Sequence, residues 1–138
     1  YSLAGSTNCT ACPDNTFSDT NSYICTCLAG YIASSDGVAC TPCAAGSHKT
    51  ATGVGICVPC GVNTYSLTGS ARCIKCPTNT FSSVSSHVLT DCTCLAGYIA
   101  SYDGVACTAC SAGAYKTTTT GIGTFAACYA NTYSSAEA

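Results

Sequence analysis

The chain contains no methionine and no tryptophan, and only four Lys or Arg and six Asp or Glu among 138 residues. A formal net charge of −2 leaves no basic footprint for nucleic acid or an anionic membrane surface. Two histidines, His48 and His87, and so few carboxylates give general acid–base catalysis few possible players. Leu, Ile, Val and Phe supply 21 residues, below the roughly 20% share at which a conventional apolar core becomes doubtful. No apolar stretch approaches the roughly 18–20 residues of a membrane-spanning helix. The N-terminus has neither a charged region nor an apolar run of the signal-peptide kind. The opening at Tyr1 reads as a mature protein or a piece excised from a longer one. No Gly-rich phosphate loop, Ser/His/Asp set or paired carboxylate cluster occurs. Gly121-Ile122-Gly123 is a lone Gly-x-Gly without strand–helix context. The expectation is a protein with no catalytic residues and no cofactor.

What the chain has instead is cysteine and hydroxyl. Fifteen residues are Cys and 38 are Ser or Thr, and Cys above roughly 8–10% marks a disulfide scaffold. Cross-links must supply what core burial cannot.

An internal repeat organises the sequence. Tyr1 opens YSLAGSTNCTACPDNTFS and Tyr65 opens YSLTGSARCIKCPTNTFS. The segment CTCLAGYIASSDGVACTPC, Cys25 to Cys43, returns as CTCLAGYIASYDGVACTAC, Cys92 to Cys110. Residues 1–64 are one copy, 65–132 a second, and 133–138 the start of a third. A shorter period lies inside each copy. A ring follows a Cys five residues later at Cys12/Phe17, Cys43/His48, Cys60/Tyr65, Cys76/Phe81, Cys110/Tyr115 and Cys128/Tyr133. After Cys27 and Cys94 the gap is four, to Tyr31 and Tyr98. Each ring is expected to lie against a neighbouring disulfide as a one-residue core for its rung, His48 included. Asp36-Gly37 and Asp103-Gly104 are hairpin turn signals between short apolar runs. No segment sustains helical periodicity over 11 residues. The fold class that follows is a small disulfide-rich chain of turns and short β-hairpins, with almost no helix, stacked as an elongated tandem-repeat rod.

Two readings of the cysteines compete. Cys40-x2-Cys43 followed by Cys57-x2-Cys60 has zinc-ribbon spacing, but candidate sites overlap and would compete for the same ligands. Asp36 and Asp103 lack the run of oxygen ligands that calcium requires. No metal site is assigned. As disulfides, the cysteines group at recurring gaps of 13 to 16 positions as Cys12–Cys25, Cys43–Cys57, Cys60–Cys73 and Cys76–Cys92. Each such loop contributes about 3 kcal/mol in the chain-entropy model. Spacing alone does not fix connectivity.

Two family resemblances add to this. Cys27-x-x-Gly-Tyr leading to Cys40, with Cys25 just before, resembles the terminal loop of an epidermal-growth-factor-like module. The resemblance implies the pairs Cys27–Cys40 and Cys94–Cys107. The segments CTACPDNTFS, CIKCPTNTFS, CTCLAGY and CVPCGVNTYS resemble the cysteine-rich ephrin type A/B receptor-like repeats of large extracellular proteins in protists. They are also similar to repeats of flagellar-hair (mastigoneme) and cell-surface proteins. These resemblances imply an extracellular, laddered rod in a surface or fibrous setting.

Three cysteines remain. Cys9 is the equivalent of Cys73 and Cys128 the equivalent of Cys60 one copy on. Their partners are expected outside this chain, as an inter-unit disulfide in an end-to-end fibre or in the continuation of a longer chain. The expected partner of Cys110 is replaced by Phe125, which makes Cys110 a buried free thiol packed on that ring. Asn8-Cys9-Thr10 is an N-glycosylation sequon, and the run Thr117, Thr118, Thr119, Thr120 suits O-glycans. The function expected is a structural module of an extracellular filament or surface coat, glycosylated and self-associating, without nucleic acid or membrane insertion. The alternatives are a stalk of a ligand-binding or adhesion receptor and a cysteine-rich metal-binding array.

Overall fold

The computed structural model describes residues 7–34, 39–101, 106–116, 126–128, 130 and 132. Asp36, Gly37, Asp103, Gly104, Thr117 to Thr120, Phe125 and Tyr133 to Ser135 lie outside the described residues.

Among the described residues, seven two-stranded antiparallel hairpins follow one another along the chain. They pair β1 (Thr16–Phe17) with β2 (Thr26–Cys27), β3 (Tyr31–Ala33) with β4 (Cys40–Pro42), and β5 (Ser47–His48) with β6 (Val58–Pro59). Next come β7 (Thr64–Tyr65) with β8 (Ile74–Lys75) and β9 (Thr80–Phe81) with β10 (Thr93–Cys94). The last two are β11 (Tyr98–Ala100) with β12 (Cys107–Ala109) and β13 (Ala114–Tyr115) with β14 (Ala126–Ala127). A single 3-10 turn, Leu89–Asp91, is the one helical element among the described residues. The fold is small, disulfide-rich and almost without helix.

One local rule generates every hairpin. Three residues after the Cys that opens each unit stands Asn15, Gly30, Gly46, Asn63, Asn79, Gly97 or Gly113, all with φ between 59° and 84°. Asn and Gly are the residues that occupy this left-handed region at low cost. The turn that ends there closes with a bond across three residues, such as Tyr31 N–H to Leu28 O at 3.1 Å and Ser47 N–H to Ala44 O at 3.1 Å. Positive φ at the third residue alone is the signature of a type II turn. The carbonyl of the left-handed residue then accepts from the Cys that ends the hairpin: Cys43 N–H to Gly30 O at 2.8 Å, Cys60 N–H to Gly46 O at 2.8 Å and Cys76 N–H to Asn63 O at 2.9 Å.

Successive hairpins are tied by backbone bonds at repeating positions. Gly30 N–H donates to Lys49 O at 2.8 Å, Gly46 N–H to Ser66 O at 2.8 Å and Asn63 N–H to Ser82 O at 3.0 Å. The residue that supplies those carbonyls comes directly after the ring of its hairpin, and it is buried as Lys49, Ser66, Ser82 or Lys116. Its side chain reaches back to the preceding hairpin. Ser66 Oγ donates to Ser47 O at 2.9 Å, Ser82 Oγ to Thr64 O at 3.4 Å and Lys116 Nζ to Tyr98 O at 3.0 Å. Lys49 Nζ donates to Ala51 O at 2.7 Å and Leu28 O at 3.4 Å. Among the described residues no buried side-chain nitrogen or oxygen lacks a partner, as burial of polar groups demands.

The ring-as-core expectation fails at two rungs and is met at His48, which lies against the Cys60–Cys73 bridge. Phe17 and Phe81 remain 47% and 41% exposed. Among the described residues the buried apolar positions are Cys27, Cys43, Cys60, Cys94 and Cys110. The register also reassigns two rungs: Ile32 opposite Thr41 and Ile99 opposite Thr108 hold the place that Phe17 and Tyr65 hold elsewhere. Tyr31 and Tyr98 sit one residue earlier, opposite Pro42 and Ala109. The core is a column of sulfur and satisfied polar groups, because a two- or three-residue strand cannot bury a whole ring.

Candidate functional site

The chemistry-bearing feature is the cysteine ladder itself. Bridges join Cys12–Cys25, Cys27–Cys40, Cys43–Cys57, Cys60–Cys73, Cys76–Cys92 and Cys94–Cys107, with Cα–Cα separations of 5.6 to 5.8 Å. Those separations lie at the centre of the range a disulfide accepts without backbone movement. In Cys43–Cys57, Cys60–Cys73 and Cys76–Cys92 the first Cys directly follows one hairpin and the second directly precedes the last strand of the next. Each bridge therefore closes one hairpin unit.

Cys9 is exposed, Cys110 buried and Cys128 half-buried, and all three are free. Cys9 and Cys128 are therefore not bonded to each other within the chain. Asn8 is exposed, as a glycan acceptor must be. The equivalent of the Cys43–Cys57 bridge is open at Cys110; its contact with Phe125 and the hydroxyls of Thr117 to Thr120 fall outside the described residues.

Among the described residues one group brings three metal-type ligand atoms within 4.8 Å of one another: His48, Cys60 and Cys73. Two of those atoms are the sulfurs of one disulfide, so they offer no thiolates. The four cysteines of the zinc-ribbon reading, Cys40, Cys43, Cys57 and Cys60, are likewise all bridged. His48 differs from every other ring in the ladder. Its Nδ1 lies 3.1 Å from Val58 O and 3.1 Å from Cys73 Sγ. A carbonyl only accepts, which assigns the proton to Nδ1, with the carbonyl and the sulfur both within its reach. The sequence marked this rung by a His where five others carry Phe or Tyr; the expected placement of that ring against a disulfide is met, and the hydrogen-bond contact of Nδ1 with one sulfur is what the spacing did not specify.

An electrostatic detail sets the loop before Cys92. Asp91 Oδ2 accepts from the backbone N–H of His87 at 2.6 Å and of Val88 at 3.2 Å. Those two bonds hold the Asp91 carboxyl below its ordinary value, because they are made to the ionised form.

One open cleft of about 460 Å³ lies beside the first two hairpins, lined by Ile24, Ile32, Ala33, Val54 and Ile56 with the Cys27–Cys40 bridge at its edge. Val54 is fully exposed there. No described helix is long and apolar enough to cross a membrane. Compared with known proteins, the chain matches no family model and no curated sequence.

Proposed function

We propose that this chain is a structural repeat module of an extracellular filament or cell-surface coat, of the ephrin type A/B receptor-like or EGF-like kind. Six disulfides fit a secreted or extracellular protein. The observation that carries the reading is the repeated unit: a hairpin closed by its own bridge and tied to the next through a buried Ser or Lys. Such units bury little apolar surface and resist local opening through covalent closure. They stack into a protease-resistant rod, and its hydroxyl-rich surface carries water and glycan at Asn8 and Thr117 to Thr120. Cys128 of one unit and Cys9 of the next join the units end to end. The module performs no catalysis.

Small-angle scattering tests the shape. A rod gives a radius of gyration well above the roughly 14 Å of a compact chain of this length; a value near 14 Å removes the filament reading. A mass equal to that of the bare, bridged polypeptide from the native source removes the glycan.

The cleft at Ile24, Val54 and Ile56 favours a second reading, the stalk of a ligand-binding or adhesion receptor. Saturable shifts of those methyl signals with apolar fragments would support it, and a flat titration eliminates it.

A further inference from the structure

We propose that Cys60–Cys73 is a thiol-exchange site, the rung of the ladder that a low-molecular-weight thiol opens first, with His48 as its positioning residue. The inference goes beyond the structural reading of the rod and does not depend on it.

The first observation is position. Cys60 lies in the first sequence copy and Cys73 in the second, so this bridge is the covalent clip across the copy boundary. The second is accessibility of one sulfur. Cys60 is 1% exposed while Cys73 is half-buried, so an incoming thiol meets Cys73. The third is the donor. His48 Nδ1–H stands 3.1 Å from Cys73 Sγ, held in place by the Val58 carbonyl at 3.1 Å.

The chemistry balances with the thiol as the only co-reactant. A first thiolate bonds to Cys73 Sγ, and the electron pair of the old S–S bond goes to Cys60. A second thiolate bonds to the attached small thiol, and Cys73 departs with the electron pair. Two thiols become one small disulfide, the bridge gains two electrons, and the protons lost by the thiols reach the new cysteine thiols through solvent. Cys73 therefore leaves as a thiolate beside the His48 N–H. A bridged sulfur is a weak acceptor, whereas a thiolate is an ionised one, and bonds to ionised acceptors are roughly twice as strong. The contact thus favours the open form over the closed one, and stabilising the reduced form raises the reduction potential.

The nearest rival is the Ser82 hydroxyl, 3.3 Å from Cys76 Sγ. Like His48 Nδ1, it also has a backbone carbonyl within reach, Thr64 O at 3.4 Å, but its sulfur contact is the longer of the two, 3.3 Å against 3.1 Å. Burial alone would order the ladder differently. Both cysteines of Cys12–Cys25 and of Cys76–Cys92 are half-buried, so an accessibility-driven reaction would start there.

The experiment equilibrates the intact, oxidised chain in glutathione buffers at neutral pH, at reduction levels below one bridge per chain. Alkylation and peptide mapping then give the open fraction of each bridge. Cys60–Cys73 should rank first, with a reduction equilibrium constant at least about tenfold above the median of the other five, a separation of about 30 mV. His48→Phe places in this rung the residue that Phe17 and Phe81 occupy in theirs, and it should erase the excess; His48→Tyr provides a second replacement, already used at Tyr65. First opening at Cys12–Cys25 or Cys76–Cys92 in the unmodified protein overturns the proposal. So does a Cys60–Cys73 excess that survives in a folded His48→Phe or His48→Tyr chain.

Discussion

Replacing Gly30 by Ala tests whether the second and fourth hairpins are held by close backbone approach. A Cβ at Gly30 would stand 2.1 Å from Gly69 O and 2.8 Å from Gly69 C, and the residue has φ +84°. Left-handed backbone alone costs a residue with a Cβ about 1–2 kcal/mol. Relieving the clash requires the Gly69 segment to retreat by about 1 Å, since real Cβ contacts below 3.0 Å essentially never occur. That movement strains Gly30 N–H to Lys49 O at 2.8 Å and Gly69 N–H to Cys43 O at 2.9 Å, each worth about 0.5–1.5 kcal/mol. The sum is about 2–5 kcal/mol. Two other glycines isolate its parts. Gly53 has φ +92° with nothing within 4 Å of an added Cβ, so its Ala variant carries the backbone cost alone, about 1–2 kcal/mol. Gly61 has open space and no positive φ, so its Ala variant should be neutral or slightly stabilising, through the unfolded chain. Guanidinium unfolding of the oxidised proteins, followed by tyrosine near-ultraviolet dichroism, gives the three values. Equal losses at Gly30 and Gly53 would refute the close-approach argument.

Lys49→Met keeps the buried stem but removes the donor to Ala51 O and Leu28 O. It should cost about 1–3 kcal/mol, and an unchanged melting temperature would show that those carbonyls find other partners. Asp91 has a depressed carboxyl pKa, so its contribution is present above the unfolded value and lost as pH falls through the folded one. Amide exchange at His87 and Val88 should accelerate on acidification through that window, while Asp91→Asn should exchange at a rate independent of pH there once intrinsic exchange is corrected. Phe125→Cys restores the cysteine that Cys57 represents in the first copy. The thiol count should fall from the three free cysteines to two, with about 3 kcal/mol gained from the new loop; a count of four overturns the equivalence.

The fold class was legible because composition left few choices. With 21 Leu, Ile, Val and Phe and 15 Cys in 138 residues, no long strand or amphipathic helix could be stabilised, and short hairpins between cross-links remained. Where the core lies was not legible from the rings. Their regular spacing invited a packing role, but Phe17 and Phe81 stay largely exposed because the strands are too short to cover them. The better signal was the Asn or Gly three residues after each unit-opening Cys, visible as Asn15, Gly30, Gly46, Asn63, Asn79, Gly97 and Gly113. It fixes the hairpin register, and the register shows that the residue after the ring, not the ring, turns inward. Lys49 and Lys116 hid that rule. A lysine in sequence suggests solvent, yet these two are buried against carbonyls. The contact between His48 and Cys73 spans 25 positions, and its geometry depends on how one hairpin lies on the next.

The column of buried Ser and Lys also explains how the ladder tolerates variation between rungs. A Ser at this position reaches one carbonyl of the preceding hairpin, as Ser66 does at Ser47. A Lys reaches the equivalent carbonyl, Tyr98 O, from Lys116, while Lys49 donates to Leu28 O of the preceding unit and to Ala51 O in its own loop. Both choices satisfy the same demand, that a buried donor meet a backbone acceptor, with side chains of very different length. The apolar alternative would gain roughly 25 cal/mol for each Å² buried but would leave those carbonyls without donors. In hairpins with strands of two or three residues, the unpaired carbonyl is the larger loss. The polar column is therefore selected by the short strands, and the disulfides are what allow strands that short to persist.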